Sequence, residues 1–228
     1  TQAAPPVSTI ATGEDVQTVL QRSANAMLTV ESYDYTSTNV ANFGGEDVES
    51  TTAATIFPGN GDGRITTTQG EVRDTTYLKN NRMYMMDPLT EKWVYMDLAD
   101  ESEAEAIVIH DRVNEYMTVT EINGEYVLTS DHPLDALQFY SLTGIEVKQK
   151  ETLDQMASQG QTMETMVEFI LDDQFRYHKV TYEQVTTTAG VSTHNVSSYT
   201  YSNYNEAEEI IIPQEILEGA IPFQAQNQ

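Results

Sequence analysis

The first change of rhythm along the chain comes at Ser32. Before it, in "TGEDVQTVLQRSANAMLTVES", Val16, Val19, Leu20, Ala24 and Met27 recur at helical spacing, and Thr12 with Asp15 forms a capping-box pattern that predicts a helix from about Gly13. After it, Tyr33, Tyr35 and Phe43 share one parity in "SYDYTSTNVANF", and "DVESTTAATIFP" and "GRITTTQGEV" are rich in β-branched residues. Antiparallel strands are expected to continue through "TTYLKN", "RMYMMD" and "KWVYMD". "ESEAEAIVIHDRVNEYM" reads as helical in its first half, and Asn123-Gly124 in "MTVTEINGEYVLTS" is a hairpin signal of the type I′ kind. Two short helices are expected next, one opened by Ser130 or Asp131 and one closed by Gly160. Three further strands follow in "TMETMVEFILD", "RYHKVTYEQVTTT" and "VSTHNVSSYTYSNY". The tail "EEIIIPQEILEGAIPF" predicts a short strand, a proline break and a last turn of helix.

The densest apolar stretch is "NNRMYMMDPLTEKWVYMD". It holds four of the nine methionines, two tyrosines and the single tryptophan on either side of one turn. Met83 and Met85 alternate with Tyr84 and Met86, and Trp93 and Tyr95 alternate with Val94 and Met96, so both faces of the hairpin are apolar. A strand with one solvated face would alternate with polar residues, so these strands should be covered on both sides by helix, loop or ligand. Methionine fills core gaps, and it also suits surfaces that accommodate variable apolar partners.

Composition narrows the classes. A chain of 228 residues with 39% apolar content can bury about 70% of its unfolded surface around one core. The expected organisation is a flexible N-terminal tether over residues 1–12, from the small, polar, proline-containing opening "TQAAPPVSTIATGED", and a single domain over 13–228. Eleven Lys and Arg against 36 Asp and Glu leave a net charge of −25, which repels nucleic acid and anionic membranes alike. No run approaches the roughly 20 apolar residues of a membrane span. Thr1 is not an initiator residue, so processing or trimming upstream is expected, and tether and acidity together favour secretion or surface display.

Motifs for chemistry are sparse. "PGNGDGRITTTQ" places Asn60, Asp62 and Gly63 at the third, fifth and sixth positions of a calcium loop, but Pro58 and Gln69 stand where its anionic ends belong. The histidines His110, His132, His178 and His194 lie in separate segments without metal-ligand spacing, and no metal is expected. There is no GxSxG, no SxxK and no cysteine, and Asp172-Asp173 reads as a turn. No enzyme, catalytic residue or cofactor is expected. The acidic run from Asp97 to Glu105 reads as a solvated face or a helix start.

The order of elements, with "YLKNNRMYMMDPLTEKWVYMD" at the middle and "YSNYNEAEEIIIPQEILEGA" at the close, resembles the LolA/LppX-like lipoprotein family, in particular its Gram-positive surface branch. The resemblance implies an α+β fold, a curved antiparallel β half-barrel with helices packed on the concave side. It also implies a cavity for a hydrophobic ligand, a lipid or acyl chain of an acylated peptide, and a monomer held at the membrane through a lipid anchor upstream of Thr1. Strand parity nominates Tyr33, Tyr35, Met83, Met85, Trp93, Tyr95, Val167 and Phe169 as the lining. The competing expectation is a non-enzymatic interaction or sensor module with a self-filled core and an envelope protein partner bound outside.

Overall fold

The computed structural model describes residues 9–10, 13–43, 45–98, 108–142, 155–156, 158 and 160–223. Its class is α+β, built on a predominantly antiparallel sheet with short helices. The chain divides into two compact units. The first comprises Thr1–Thr29, Asn39–Val48 and Glu105–Thr200; the second comprises Val30–Thr38, Glu49–Ala104 and Tyr201–Gln228.

In the first unit, helix α1 (Val16–Leu28) starts where Asp15 accepts a hydrogen bond from the Thr18 amide at 2.7 Å. The expected start at Gly13 is three residues too early. Gly13 is in the left-handed region at φ +65°, and Asp15 is the cap. The buried positions Val16, Val19, Leu20 and Ser23 fall at i, i+3, i+4 and i+7, one helical face. The glutamines of the helix hold the segment before a 3-10 helix (Asp111–Glu115). Gln17 Nε2 donates to the Ile109 carbonyl at 2.9 Å, and the Ile109 amide donates to Gln21 Oε1 at 3.1 Å.

The strands of this unit are β1 (Thr9–Ile10), β8 (Met117–Ile122), β9 (Glu125–Ser130), β10 (Leu134–Asp135), β11 (Thr162–Leu171), β12 (Tyr177–Thr188) and β13 (Val191–Ser202), the last running on by two residues into the second unit. They follow the order β1-β8-β9-β11-β12-β13, with β10 also on β11. Thr9 and Ile10, inside the segment read as a tether, pair with Ile122 and Glu121. The hairpin at Asn123-Gly124 forms as expected, with φ of 54° and 86°. Along β11, Met163, Thr165, Val167, Phe169 and Leu171 are all buried, the period-2 pattern of a strand facing the core. Asp172 closes the β11–β12 turn by accepting from the amides of Gln174 and Arg176 at 2.9 and 2.8 Å.

Helix α2 (Ala136–Ser141) is capped by Asp135, which forms a reciprocal capping box with Gln138. Neither Ser130 nor Asp131 opens it: Ser130 ends β9, and Leu134–Asp135 first pair with β11. The second expected helix lies mostly outside the described residues. At its end Gly160 has φ +69° and the Gln161 amide donates to the Met156 carbonyl at 3.0 Å, as a glycine-closed helix requires. Most of the acidic run near 97–105 also lies outside the described residues.

The second unit holds most of β3 (Glu46–Phe57), then β4 (Asp62–Gln69), β5 (Val72–Lys79), β6 (Arg82–Asp87), β7 (Lys92–Asp97), helix α3 (Gln214–Gly219) and β14 (Ile221–Pro222). The order is β3-β4-β5-β6-β7-β14, preceded by β2 (Tyr33–Phe43), which supplies residues to both units. The tail departs from expectation. Ile210–Ile212 is not a strand; it joins no ladder, with Ile210 and Ile212 buried and Ile211 82% exposed. The strand comes after the helix, as β14 running parallel to β7 through Ile221 and Val94. Ile212 and Ile216 pack on Tyr84, with Tyr77, Trp93, Tyr95 and Ala220 around them.

Candidate functional site

Three β-branched stretches, "TTAATIF", "RITTTQ" and "VRDTTY", become β3, β4 and β5 of the second unit. Their register sets Thr55 against Arg64 and Arg64 against Tyr77, Ala53 against Thr66 and Thr66 against Thr75, and Thr51 against Thr68 and Thr68 against Arg73. Side chains of a strand alternate between its faces, so these nine residues share one face. Thr66 and Thr75 meet there through their hydroxyls at 3.2 Å. The opposite face packs closely: a Cβ on Gly63 would lie 3.1 Å from Ile56 Cδ1 and 3.2 Å from Leu78 Cδ1.

The shared face opens into a cleft of about 810 Å³. Ala53, Thr55, Arg64, Thr66, Thr68, Arg73, Thr75 and Tyr77 line it, joined by Asp34, Tyr35 and Thr36 of β2 and by Ser202 and Asn203. Asp34 accepts from Asn203 Nδ2 at 2.8 Å through one carboxylate oxygen, and the other oxygen is shielded from solvent without a hydrogen bond. Arg64 and Arg73 are exposed. Among the described residues neither guanidinium forms an ion pair, whereas Arg22, Lys79, Arg82 and Arg176 all reach carboxylates. The cleft therefore offers two cationic forks, a row of hydroxyls and two phenol rings.

The nominated lining residues do not assemble on one surface. Tyr33 and Tyr35 join Tyr201 at ring separations of 5.8 and 6.0 Å, and Tyr33 also meets Tyr204 at 6.1 Å. Burial pushes the Tyr33 phenol above its ordinary pKa. Of the eight, only Tyr35 lines the cleft. In the methionine hairpin, Met83 and Met85 face Met96 and Val94, while Trp93 and Tyr95 face Met86 and Tyr84. Met83 and Met85 thus share a side that Trp93 and Tyr95 do not. The cause is the turn: with Asp87 paired to Lys92 across four residues, odd positions on β6 meet even positions on β7, so choosing odd numbers on both strands mixes the two faces. That turn is held by the Asp87 carboxylate, which accepts from the Leu89 amide at 2.9 Å and the Thr90 hydroxyl at 2.7 Å and stays below its usual pKa, chiefly through the Thr90 bond.

Trp93 and Tyr95 instead belong to an aromatic row. Trp93 lies 5.9 Å from Tyr77, Tyr95 lies 6.2 Å from Tyr84, and the Arg82 guanidinium sits 4.5 Å over the Tyr95 ring. Val167 and Phe169 are in the core of the first unit, each 4% exposed, with Phe169 against Tyr177 at 5.9 Å and Tyr182 at 6.4 Å.

The loop that has calcium-loop spacing is organised around an internal cation. Asp62 is buried and accepts from Lys79 Nζ at 2.6 Å and Asn60 Nδ2 at 3.1 Å; the Lys79 pKa is raised, mainly by its bond to Asp62. Among the described residues no group of three or more histidines and carboxylates is placed to hold a metal. His178 and His194 are exposed beside Glu125 and Glu183.

Arg64, Arg73 and the Thr66–Thr75 pair escaped sequence reasoning, which treated β4 and β5 as plain strands. The available signal was the rarity of cations, since three of only eleven, Arg64, Arg73 and Lys79, sit on these adjacent threonine-rich strands.

No family model and no curated protein matches this sequence. Among solved structures the chain is similar to the lipoprotein LppX of Mycobacterium tuberculosis, at 9% identity and a TM-score of 0.45, over 86% of this chain and 97% of that one. It is also similar to a LolA superfamily protein of Nitrosomonas europaea, at 11% identity and a TM-score of 0.34, over 89% and 97%. A third is the MucA/MucB complex of Pseudomonas aeruginosa, at 11% identity and a TM-score of 0.29, over 83% of this chain and 55% of that one.

Proposed function

We propose that this is a non-enzymatic, extracytoplasmic binding protein that sequesters an amphiphile, a lipid or an acylated peptide, with the cleft of the second unit as its binding site. The observation that carries the reading is a cleft of about 810 Å³ with a two-natured lining. Small-ligand sites occupy roughly 300–1,000 Å³ and combine apolar walls with a few placed polar groups. Tyr35, Ala53 and Tyr77 supply apolar surface, which continues from Tyr77 to Trp93 at 5.9 Å, and the hydroxyls and guanidinia supply the polar part. Apolar area leaving water contributes roughly 25 cal/mol per Å². Display outside the cytoplasm fits the acidity of the chain, and among the described residues no helix is long and apolar enough to cross a membrane.

A second reading is favoured by exposed apolar side chains outside the cleft lining. Met96, Ile211, Leu217, Ile221 and Phe223 are 38% to 82% exposed on β7 and the C-terminal segment, and exposed apolar side chains of this kind suit an envelope protein partner. Two measurements separate the readings: mass spectrometry of lipids extracted from the purified protein, and titration with a fluorescent fatty acyl probe. The binding reading expects saturable uptake, lost in Ala53→Trp, which fills the cleft from an exposed position and leaves the melting temperature nearly unchanged. Absence of saturable uptake by the wild type overturns it.

A further inference from the structure

We infer that the cleft recognises an anionic group, a phosphate or carboxylate, held by Arg64 and Arg73 above the hydroxyl pair of Thr66 and Thr75. The inference rests on the reading of this cleft as the ligand site and adds the chemistry of the ligand's polar end.

The register supplies the geometry. Arg64 stands opposite Tyr77 and Arg73 opposite Thr68, with Thr66 and Thr75 paired between them. Four residues along the ladder at about 3.4 Å each place the two arginine backbones roughly 14 Å apart, within the combined reach of two long side chains. Both side chains belong to the cleft face and both are exposed, so either can turn toward a ligand above the threonines. A guanidinium presents a planar fork of donors that matches the paired oxygens of phosphate and carboxylate, and the threonine pair, in which one hydroxyl donates to the other, keeps one O–H to donate.

Charge statistics sharpen the point. With 36 acidic and 11 basic residues, a cation in this protein has carboxylates in excess around it. Lys79 is locked to Asp62, Arg82 to Asp97, and Arg176 to Asp172. Arg64 and Arg73, like Lys92, Arg112 and Lys179, form no ion pair among the described residues, and of these five only the two arginines line the cleft. Among the described residues Asp34 is the only carboxylate lining the cleft; one of its oxygens is engaged by Asn203 and the other is shielded from solvent. The net charge of the whole chain opposes an anion at a distance, but at physiological salt that field is screened beyond about 8 Å, and contact geometry then decides.

The test uses the full chain and two fluorescent acyl probes with the same tail, one ending in a carboxylate and one in an alcohol, together with inorganic phosphate in a calorimeter. The expected result is that wild type binds the carboxylate probe at least tenfold more tightly than the alcohol, as a charge-assisted contact gives. The ratio should fall toward one in Arg64→Gln/Arg73→Gln and stay unchanged in Arg112→Gln, an exposed arginine of the first unit. The wild-type comparison needs no variant, so loss of fold in the double variant does not obscure it. Equal binding of both probes by wild type overturns the anionic group and leaves the amphiphile reading standing. If neither acyl probe binds but phosphate binds saturably and the double variant abolishes this, the anion site stands and the lipid reading falls. If neither probe nor phosphate binds, both are overturned.

Discussion

Three partly buried phenols tie this fold to pH. Tyr33, Tyr177 and Tyr182 all have pKa values raised above the ordinary value of about 10, and burial is the largest cause in each; for Tyr182 the nearby Tyr177 and Tyr199 add to it. Between the unfolded and the folded pKa, the unfolded chain releases protons that the folded chain keeps. Stability from these groups is therefore complete below about pH 10 and declines as pH rises through their folded values. The exposed members of the thirteen tyrosines should ionise first with the fold intact, and the remainder should ionise together with unfolding. Phenolate absorbance followed beside circular dichroism reads both events. Tyr182→Phe should move the alkaline transition upward, because one group that opposes folding once ionised is gone. A single reversible ionisation of every tyrosine near pH 10, with no loss of structure, would refute the argument.

At the scale of the element, local chemistry and long-range register part company. The β8–β9 hairpin was legible because Asn123 and Gly124 carry the positive φ their turn demands. Gly124→Ala puts a Cβ at φ +86° and should cost about 1 kcal/mol, read as a lower denaturant midpoint, while Asn123→Gly should change the midpoint little. An equal effect of the two substitutions would show that turn conformation is not what matters. Helix α1 was legible from its apolar stripe, though Thr12 drew the cap away from Asp15. Face pairing in the β6–β7 hairpin was not, because a four-residue turn inverts the parity that each strand shows alone. The cleft was still further from reach, since it requires the register of β3, β4 and β5 at once before Arg64 and Arg73 fall on one face. β14 is two residues long, and Phe223 N donating to Tyr95 O at 2.8 Å leaves no periodic trace in the sequence.

At the scale of the whole molecule the question is whether two compact units melt as one. The division between them falls inside continuous strands: β2 gives Tyr33–Thr38 to the second unit and Asn39–Phe43 to the first, and β3 is divided between Val48 and Glu49. A unit that unfolded alone would strip the ladder from half of a strand whose other half stayed paired, leaving the shared strand anchored at one end and unpaired at the other. Loop-linked domains carry no such penalty. A single cooperative transition is therefore expected, with calorimetric and van't Hoff enthalpies equal. Trp93, the only tryptophan, reports on the second unit by fluorescence, and amide exchange along Val167–Leu171 reports on the first, so the two midpoints can be compared in one denaturant series. They should coincide. They should also rise together with added salt, because screening a net charge of −25 relieves repulsion throughout the folded chain. Two separated midpoints, or a salt response confined to one probe, would mean that the strands shared by the units do not couple them.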